Sequence, residues 1–295
     1  MSVPKDFSNV LIIGLGLIGG SIAKKLKDIS YSGVVHGLDN DSKATSIAKE
    51  KHLISSETLN LDNLDDLLVI FCTPVLSIQA ALNSFLSLQP SQNVILTDTL
   101  STKGFFNQML RKEFPELKDK FVSSHPIAGS EKSGLIHSKK DLFEGRISVI
   151  TPNESNNEED IARVVNFWKS LGSDTKILTQ DQHDFIFAKT SHLPHVISYA
   201  LTRSLFDQLK ENTFEYSGGS LEDYTRIASS DPTMWKDIFV SNKSNIISSI
   251  EEFEDSLSEL KELINDGNEE GIIAVSYTHL RAHETKANLV CRLLL

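Results

Sequence analysis

Cysteine is almost missing from this chain: Cys72 and Cys291 are the only two in 295 residues. That argues against a disulfide framework and suits a reducing compartment, so a cytoplasmic protein is expected. Apolar runs are short. The longest near the N-terminus, "NVLIIGLGLIGG" (9–20), is broken by glycines and falls below the ~18 residues of a membrane span, so no membrane association is expected. The opening "MSVPKDFSN" has neither the basic start nor the small-residue cleavage site of a secretory signal. Basic residues are outnumbered, 29 Lys and Arg against 40 Asp and Glu, and no Lys/Arg stripe offsets the net charge of −11. A duplex-binding surface is not expected, so nucleic acid is not a predicted partner, and an anionic substrate would need a local basic site. Internal repeats and low-complexity tracts are absent too.

What is present reads as a soluble globular chain, 40% hydrophobic and 23% charged, long enough for one large domain or two ordinary ones. "NVLII" (9–13) is an uninterrupted apolar run of the kind that fills a parallel strand covered on both faces. Further strands are expected at "GVVHGL" (33–38), "LLVIF" (67–71), "NVILT" (93–97), "KFVSS" (120–124), "RISVIT" (146–151) and "TKIL" (175–178), with helices between most of them. The alternation predicts an α/β Rossmann-type dinucleotide-binding domain with a mainly parallel sheet over residues 1–178. From Asp181 the pattern turns helical, giving an all-helical domain over 179–275. Ile246, Ile250, Phe253, Leu257, Leu260 and Ile264 step by four and three, an a/d seam that another helix, in this chain or a second subunit, must cover.

The last twenty residues, "SYTHLRAHETKANLVCRLLL" (276–295), turn basic directly after the acidic "NDGNEEGIIAV". They resemble translated read-through of sequencing-library adapters. A non-native tail is expected over 276–295, and the fold is read from the residues up to about Val275.

"GLGLIGG" fits G-x-G-x-x-G, follows a strand, opens a helix, and has Asp39 twenty positions past Gly19. Gly14 permits a tight turn and Gly16 lets a pyrophosphate reach the backbone. Gly19 lets the helix pack close, and the N–H groups at Leu17 and Ile18 open the helix toward phosphate. Asp39 ends the second strand, where a carboxylate receives ribose hydroxyls and repels a 2′-phosphate, so NAD is the expected cofactor, with Lys43 blurring the preference over NADP.

In an open parallel sheet, ligands bind beyond the carboxyl ends of the strands. Those positions read "GLGLIGG", "DND", "CTPV", "DTLSTKG" and "SSHPIAGSE", which crowd Asp39, Thr73, Asp98, Ser101, Lys103, His125 and Glu131 onto one edge. An imidazole titrates near working pH, so His125 suits a general base. Ser101 either orients it or caps the next helix. "QHDFIFAKTSHLPH" holds His183, His192 and His195, but Pro194 splits the pair and no Cys or carboxylate cluster completes a site, so no metal is predicted. Arg226 in "DYTRIASSDPTMW" reads as half-buried and needs an anion, either a ligand carboxylate or an internal partner at Asp223 or Asp231.

Taken in order, "IIGLGLIGGS", "DTLSTKG", "HPIAGSEKSG", "HDFIFAKTSHLPH" and "TRIASSDPTMW" resemble the prephenate/arogenate dehydrogenase family of tyrosine biosynthesis, over residues 9–275. The resemblance implies NAD-dependent oxidative decarboxylation, with His125 taking the ring-hydroxyl proton and Ser101 supporting it. It also implies that Arg226 holds a substrate carboxylate, that His195 and Glu131 line the substrate pocket, and that the helical domain forms a homodimer. Thr99-Leu100 departs from the smaller, glycine-ended pair of many relatives. Arogenate, the amino analogue of prephenate, stays open as substrate.

Overall fold

The structure is a computed structural model that describes residues 7–56, 59, 64–90, 93–130, 132–208 and 216–277. Strands and helices alternate from the start: β1 (Asn9–Ile13), α1 (Leu17–Asp28), β2 (Val34–Leu38), α2 (Ser42–Glu50), β3 (Leu67–Phe71), α3 (Ile78–Leu86), β4 (Val94–Asp98) and α4 (Gly104–Glu113). β5 (Ser123–Pro126), β6 (Ile147–Thr151), α5 (Glu158–Ser170) and β7 (Asp174–Ile177) complete the sheet region. After it, the described residues form only helices: α6 (Gln180–Phe187), a π turn over Ala188–His192, α7 (Leu193–Gln208), α8 (Gly219–Ala228), α9 (Pro232–Ser241) and α10 (Lys243–Asn265). The expected class, a Rossmann-like parallel sheet followed by a helical region, is what the chain forms.

Four parallel strands run in the order β2-β1-β3-β4, with Ile13 level with Leu38 and Phe71, and Phe71 level with Asp98. Their carboxyl ends therefore share one edge. Successive side chains on a strand point to opposite faces, and both faces of this sheet are apolar. Val10, Ile12, Leu68 and Ile70 pack with Ile22 and Leu26 of α1 and with Phe167 and Trp168 of α5. Leu11, Ile13, Val69 and Phe71 pack with Ile78, Leu82 and Phe85 of α3 and Phe106 and Leu110 of α4. Each such side chain, fully buried, contributes roughly 1.5–3 kcal/mol.

The strand expected at 120–124 runs later. Lys120 O and Val122 N bond Leu96 in β4, but the continuous strand is Ser123–Pro126, pairing antiparallel with β6 through His125 and Val149. Pairing continues past Ser124 because Ile127 N–H still finds Ile147 O at 2.7 Å. His125 is thus inside the strand, one residue from its end. β6 and β7 pair parallel.

By compactness the chain divides after Lys243. Helices α6 to α9 belong to the same compact unit as the sheet. In the second unit, Leu257 and Ile264 of the expected seam lie more than half exposed on α10. Residues 278–295, which hold most of the expected non-native tail, lie outside the described residues.

Candidate active site

The glycine turn begins where β1 stops. Gly14 has φ +100°, and a Cβ there would stand 2.4 Å from the Cys72 carbonyl oxygen of β3's exit. A Cβ on Gly19 would stand 1.9 Å from Gly14 O, so only glycine lets α1 cross this close to the strand. Gly16 differs: nothing lies within 4 Å of where its Cβ would be, and that open space faces the first turn of α1. Gly16 caps the helix with no side-chain hydrogen bond and no acidic residue follows in the first turn, which leaves the N–H groups around Leu17 and Ile18 for an external anion. At the end of β2, Asp39 accepts from Leu15 N–H at 2.6 Å and from Asp41 N–H at 2.7 Å, tying the glycine turn to the neighbouring strand. At the end of β3, the Thr73 hydroxyl is buried with no hydrogen-bond partner among the described residues. A cradle of bare backbone, an uncapped helix end and an orphaned hydroxyl fit a dinucleotide laid across this edge.

Beyond β4 the material changes from backbone to side chains. Asp98 and Lys103 form a fully buried ion pair at 2.6 Å. Asp98 also accepts from Ser123 Oγ at 2.7 Å and Ser124 N–H at 2.9 Å, while Lys103 Nζ donates to Ser124 O at 2.5 Å. The pair thereby stitches β4 to β5 directly beneath His125. Ser101 lies in the loop between β4 and α4, half-buried, and makes no hydrogen bond among the described residues.

The ring partner of His125 is His183, not a serine. His125 Nδ1 lies 2.8 Å from His183 Nε2, and His183 Nδ1 lies 2.8 Å from Asp184 Oδ1. Phe187, one turn along α6, packs edge-on against His125 with centroids 5.1 Å apart. Asp184 in turn accepts from Lys103 N–H at 2.9 Å and Gly104 N–H at 2.8 Å, capping α4. Burial, with the like-charged neighbours His183, Lys103 and His192, holds His125 well below the ordinary imidazole range. Burial also lowers His183, against the opposing pull of Asp184. For Asp184, burial works against ionisation, yet the hydrogen bonds from His183, Gly104 and Lys103 outweigh it and keep the carboxyl low. The result is a neutral base leaning on a charged carboxylate.

A second group continues from this one. Asn242 Nδ2 donates to Asp184 O at 2.8 Å and to His192 Nδ1 at 3.2 Å, and burial pushes His192 down to about 4. Pro194 offers no N–H to the helix it enters, and the chain takes a π turn just before it. His195 follows on α7, where Nδ1 donates to Ser191 O at 2.9 Å and the ring stacks on Trp235 of α9 at 3.5 Å. Burial lowers its pKa as well. Trp235 also meets His192 edge-on, so contacts run unbroken from His125 to His195.

Arg226 stands apart. It is exposed on α8, a helix that buries no residue, and its partner is Asp223 at 3.4 Å on the same helix rather than a buried anion. Asp231 caps α9 instead, accepting from Thr233 and Met234 N–H. The half-buried position expected for Arg226 is therefore corrected. Glu131 lies outside the described residues.

Two family models match: residues 22–177 fit the prephenate dehydrogenase nucleotide-binding domain, and residues 179–276 fit the prephenate dehydrogenase dimerization domain. The chain belongs to the prephenate dehydrogenase family. It is an oxidoreductase. Cyclohexadienyl dehydrogenase of Zymomonas mobilis is 31% identical over 88% of this chain and 89% of that one. Prephenate dehydrogenase of Bacillus subtilis is 28% identical over 92% and 74% respectively. Among solved structures, prephenate dehydrogenase from A. aeolicus, in complex with hydroxyphenyl propionate and NAD+, superposes with a TM-score of 0.85 at 33% identity, covering 95% of this chain and 98% of that one.

Sequence reading of this family member missed the His183–Asp184 pair as His125's support. The one available signal was an adjacent His-Asp at the start of a helix, and nothing in that dipeptide says which strand it faces.

Proposed function

We propose that this chain catalyses the NAD-dependent oxidative decarboxylation of prephenate to 4-hydroxyphenylpyruvate, in the cytoplasm and toward tyrosine. The observation that carries the proposal is His125, a neutral imidazole inside β5, on the same strand edge as the glycine turn. NAD, when bound, supplies the acceptor for the hydride on the ring carbon that bears the hydroxyl. The N–H groups of Gly16, Leu17 and Ile18, in the turn that Gly14 and Gly19 make possible, would hold its pyrophosphate and Asp39 its ribose, and Thr73 offers a buried hydroxyl with no partner among the described residues. His125 takes the hydroxyl proton as carbon dioxide leaves, and returns it to the phenolate oxygen once the ring is aromatic. Ser101 supports the hydroxyl from the β4 exit. His195 and Glu131 line the substrate pocket. Arg226, exposed and lightly paired, is free to exchange Asp223 for a substrate carboxylate.

The Zymomonas relative is named for cyclohexadienyl substrates as a class, which supports a second reading: this chain accepts arogenate, alone or with prephenate. Purified protein with NAD and each compound in turn, followed by NADH absorbance, separates the readings, and turnover of neither compound removes both. Arg226→Ala should raise the substrate KM by roughly tenfold or more, the worth of one charge-assisted pair, and leave the NAD KM unchanged. The match to a dimerization domain and the exposed Leu257 and Ile264 support a homodimer joined through the helical domain, over 179–275, apart from a nucleotide domain over 1–178. Light scattering on the purified protein measures that mass.

A further inference from the structure

We infer that His183 and Asp184 are positioning residues that lock His125 in the tautomer whose Nε2 lone pair is free for substrate. The inference rests on the reading of His125 as the base and adds what makes it one.

The direction of each proton follows from what the far end can accept. Asp184 is an ionised carboxylate already receiving Lys103 N–H and Gly104 N–H, so it is an acceptor only, and it sits at the positive end of α4. His183 Nδ1, 2.8 Å from Asp184 Oδ1, must therefore carry a hydrogen. A neutral imidazole has one N–H, which leaves His183 Nε2 as a bare acceptor. That atom faces His125 Nδ1 at 2.8 Å, so the hydrogen between them belongs to His125 Nδ1. His125 Nε2 is then unprotonated, and of the four nitrogens in these two rings it is the one without a partner among the described residues. Phe187 blocks rotation by packing on both rings, with centroids 5.1 Å from His125 and 4.5 Å from His183. A lone buried histidine would divide itself between two tautomers; here the choice is made by two backbone N–H groups at the start of α4.

The lock predicts an outcome that simple burial does not. With Asp184→Asn, the amide can donate to His183 Nδ1. His183 then carries its hydrogen on Nε2 and points it at His125 Nδ1, which must accept, so the hydrogen of His125 moves to Nε2 and the base is lost. kcat should fall about 10²–10⁴-fold with the NAD KM unchanged, as expected when a general base is held in its wrong form. His183→Leu should fall comparably. His183→Gln should recover most of that loss, because Gln Oε1 replaces Nε2 as an acceptor and needs no partner of its own to do so.

The test that does not depend on turnover is ¹⁵N-resolved NMR of the histidine rings in the full chain, with NAD binding by fluorescence and thermal unfolding as checks on folding. Wild-type His125 should show Nδ1 protonated and Nε2 bare, and Asp184→Asn should reverse that pattern. A wild-type ring with Nε2 protonated overturns the lock, as does a His183→Gln enzyme no faster than His183→Leu. If the wild type turns over neither prephenate nor arogenate yet shows the Nδ1-protonated ring, the dehydrogenase reading falls while the lock stands.

Discussion

At Gly14–Gly19 the molecule presents backbone, and every residue that matters is within one turn of the next. Around His125 it presents side chains drawn from β4, β5, the start of α4, α6, the π turn and the end of α9, as far apart in sequence as Asp98 and Asn242. The first region is specified by what is missing, namely Cβ atoms and a helix cap. The second is specified by a chain of donors and acceptors, each fixing the next. At Gly14 and Gly19 the backbone site tolerates no added atom, whereas a side-chain site tolerates added atoms but no reversed hydrogen bond.

Replacing His125 tests that division with the largest effect. His125→Asn keeps a small polar side chain in β5 but removes the base. kcat should fall by about 10²–10⁴-fold, the usual weight of a general base, while NAD binds as before. Steady-state kinetics with both substrates varied would measure this, and a matched rise in the NAD KM would mean the two regions are one.

Gly14→Ala is the reciprocal change. The new methyl must adopt φ near +100° and meet the Cys72 carbonyl at 2.4 Å, so strain and crowding together should cost about 2–4 kcal/mol and abolish dinucleotide binding. His125 should keep its ring protonation pattern, because none of its partners belongs to the glycine turn. Denaturant unfolding and NAD titration report the two halves of that claim.

How much of this was legible in the sequence follows the same line. β1 and β3 were visible as apolar runs because both faces of their sheet are covered, so no alternation interrupts them. The glycine turn was visible because all its determinants are contiguous. His125 was visible by its place at a strand end. Its support was not: His183 lies 58 residues away, and only the packing of α6 against β5 brings the rings together. β5 itself starts three residues later and ends two residues later than expected, since it is held by antiparallel pairing with β6, which no local pattern in "FVSSHP" announces. Arg226 was expected to be half-buried from its apolar neighbours, yet α8 buries none of its residues, so those neighbours carried no information about it.

Acid should expose the side-chain region before the backbone one. His125, His183 and His192 all have folded-state values below the ordinary 6.5, so the unfolded chain binds protons that the folded one does not. Stability that is present above pH ~6.5 is therefore lost as pH falls toward the folded values. For His192, at about 4, the loss is on the order of 2 kcal/mol by pH 5. Thermal unfolding from pH 8 to 5 should show Tm level at first and then falling below pH ~6.5. A Tm that stays flat to pH 5 would place the histidines in water.

The smallest effect concerns Asp39, which belongs to both kinds of region. Its carboxylate holds Leu15 N–H at 2.6 Å and Asp41 N–H at 2.7 Å, so before any cofactor arrives it is already a structural acceptor for the glycine turn. In the ribose role proposed for Asp39, recognition would use the remaining lone pairs of the same two oxygens. Asp39→Ala removes both duties at once and cannot tell them apart. Asp39→Asn keeps one oxygen for Leu15 while cancelling the negative charge. If charge is what discriminates cofactors, the NAD KM should rise by no more than about tenfold, one charge-assisted hydrogen bond's worth, and activity with NADP should improve relative to NAD. Lys43, in the first turn of α2, is then close enough in sequence to meet a 2′-phosphate that the carboxylate no longer repels. If instead Asp39→Asn loses NAD and NADP alike, Asp39 acts by shaping the glycine turn, and the backbone region depends on a side chain as much as the histidine region does.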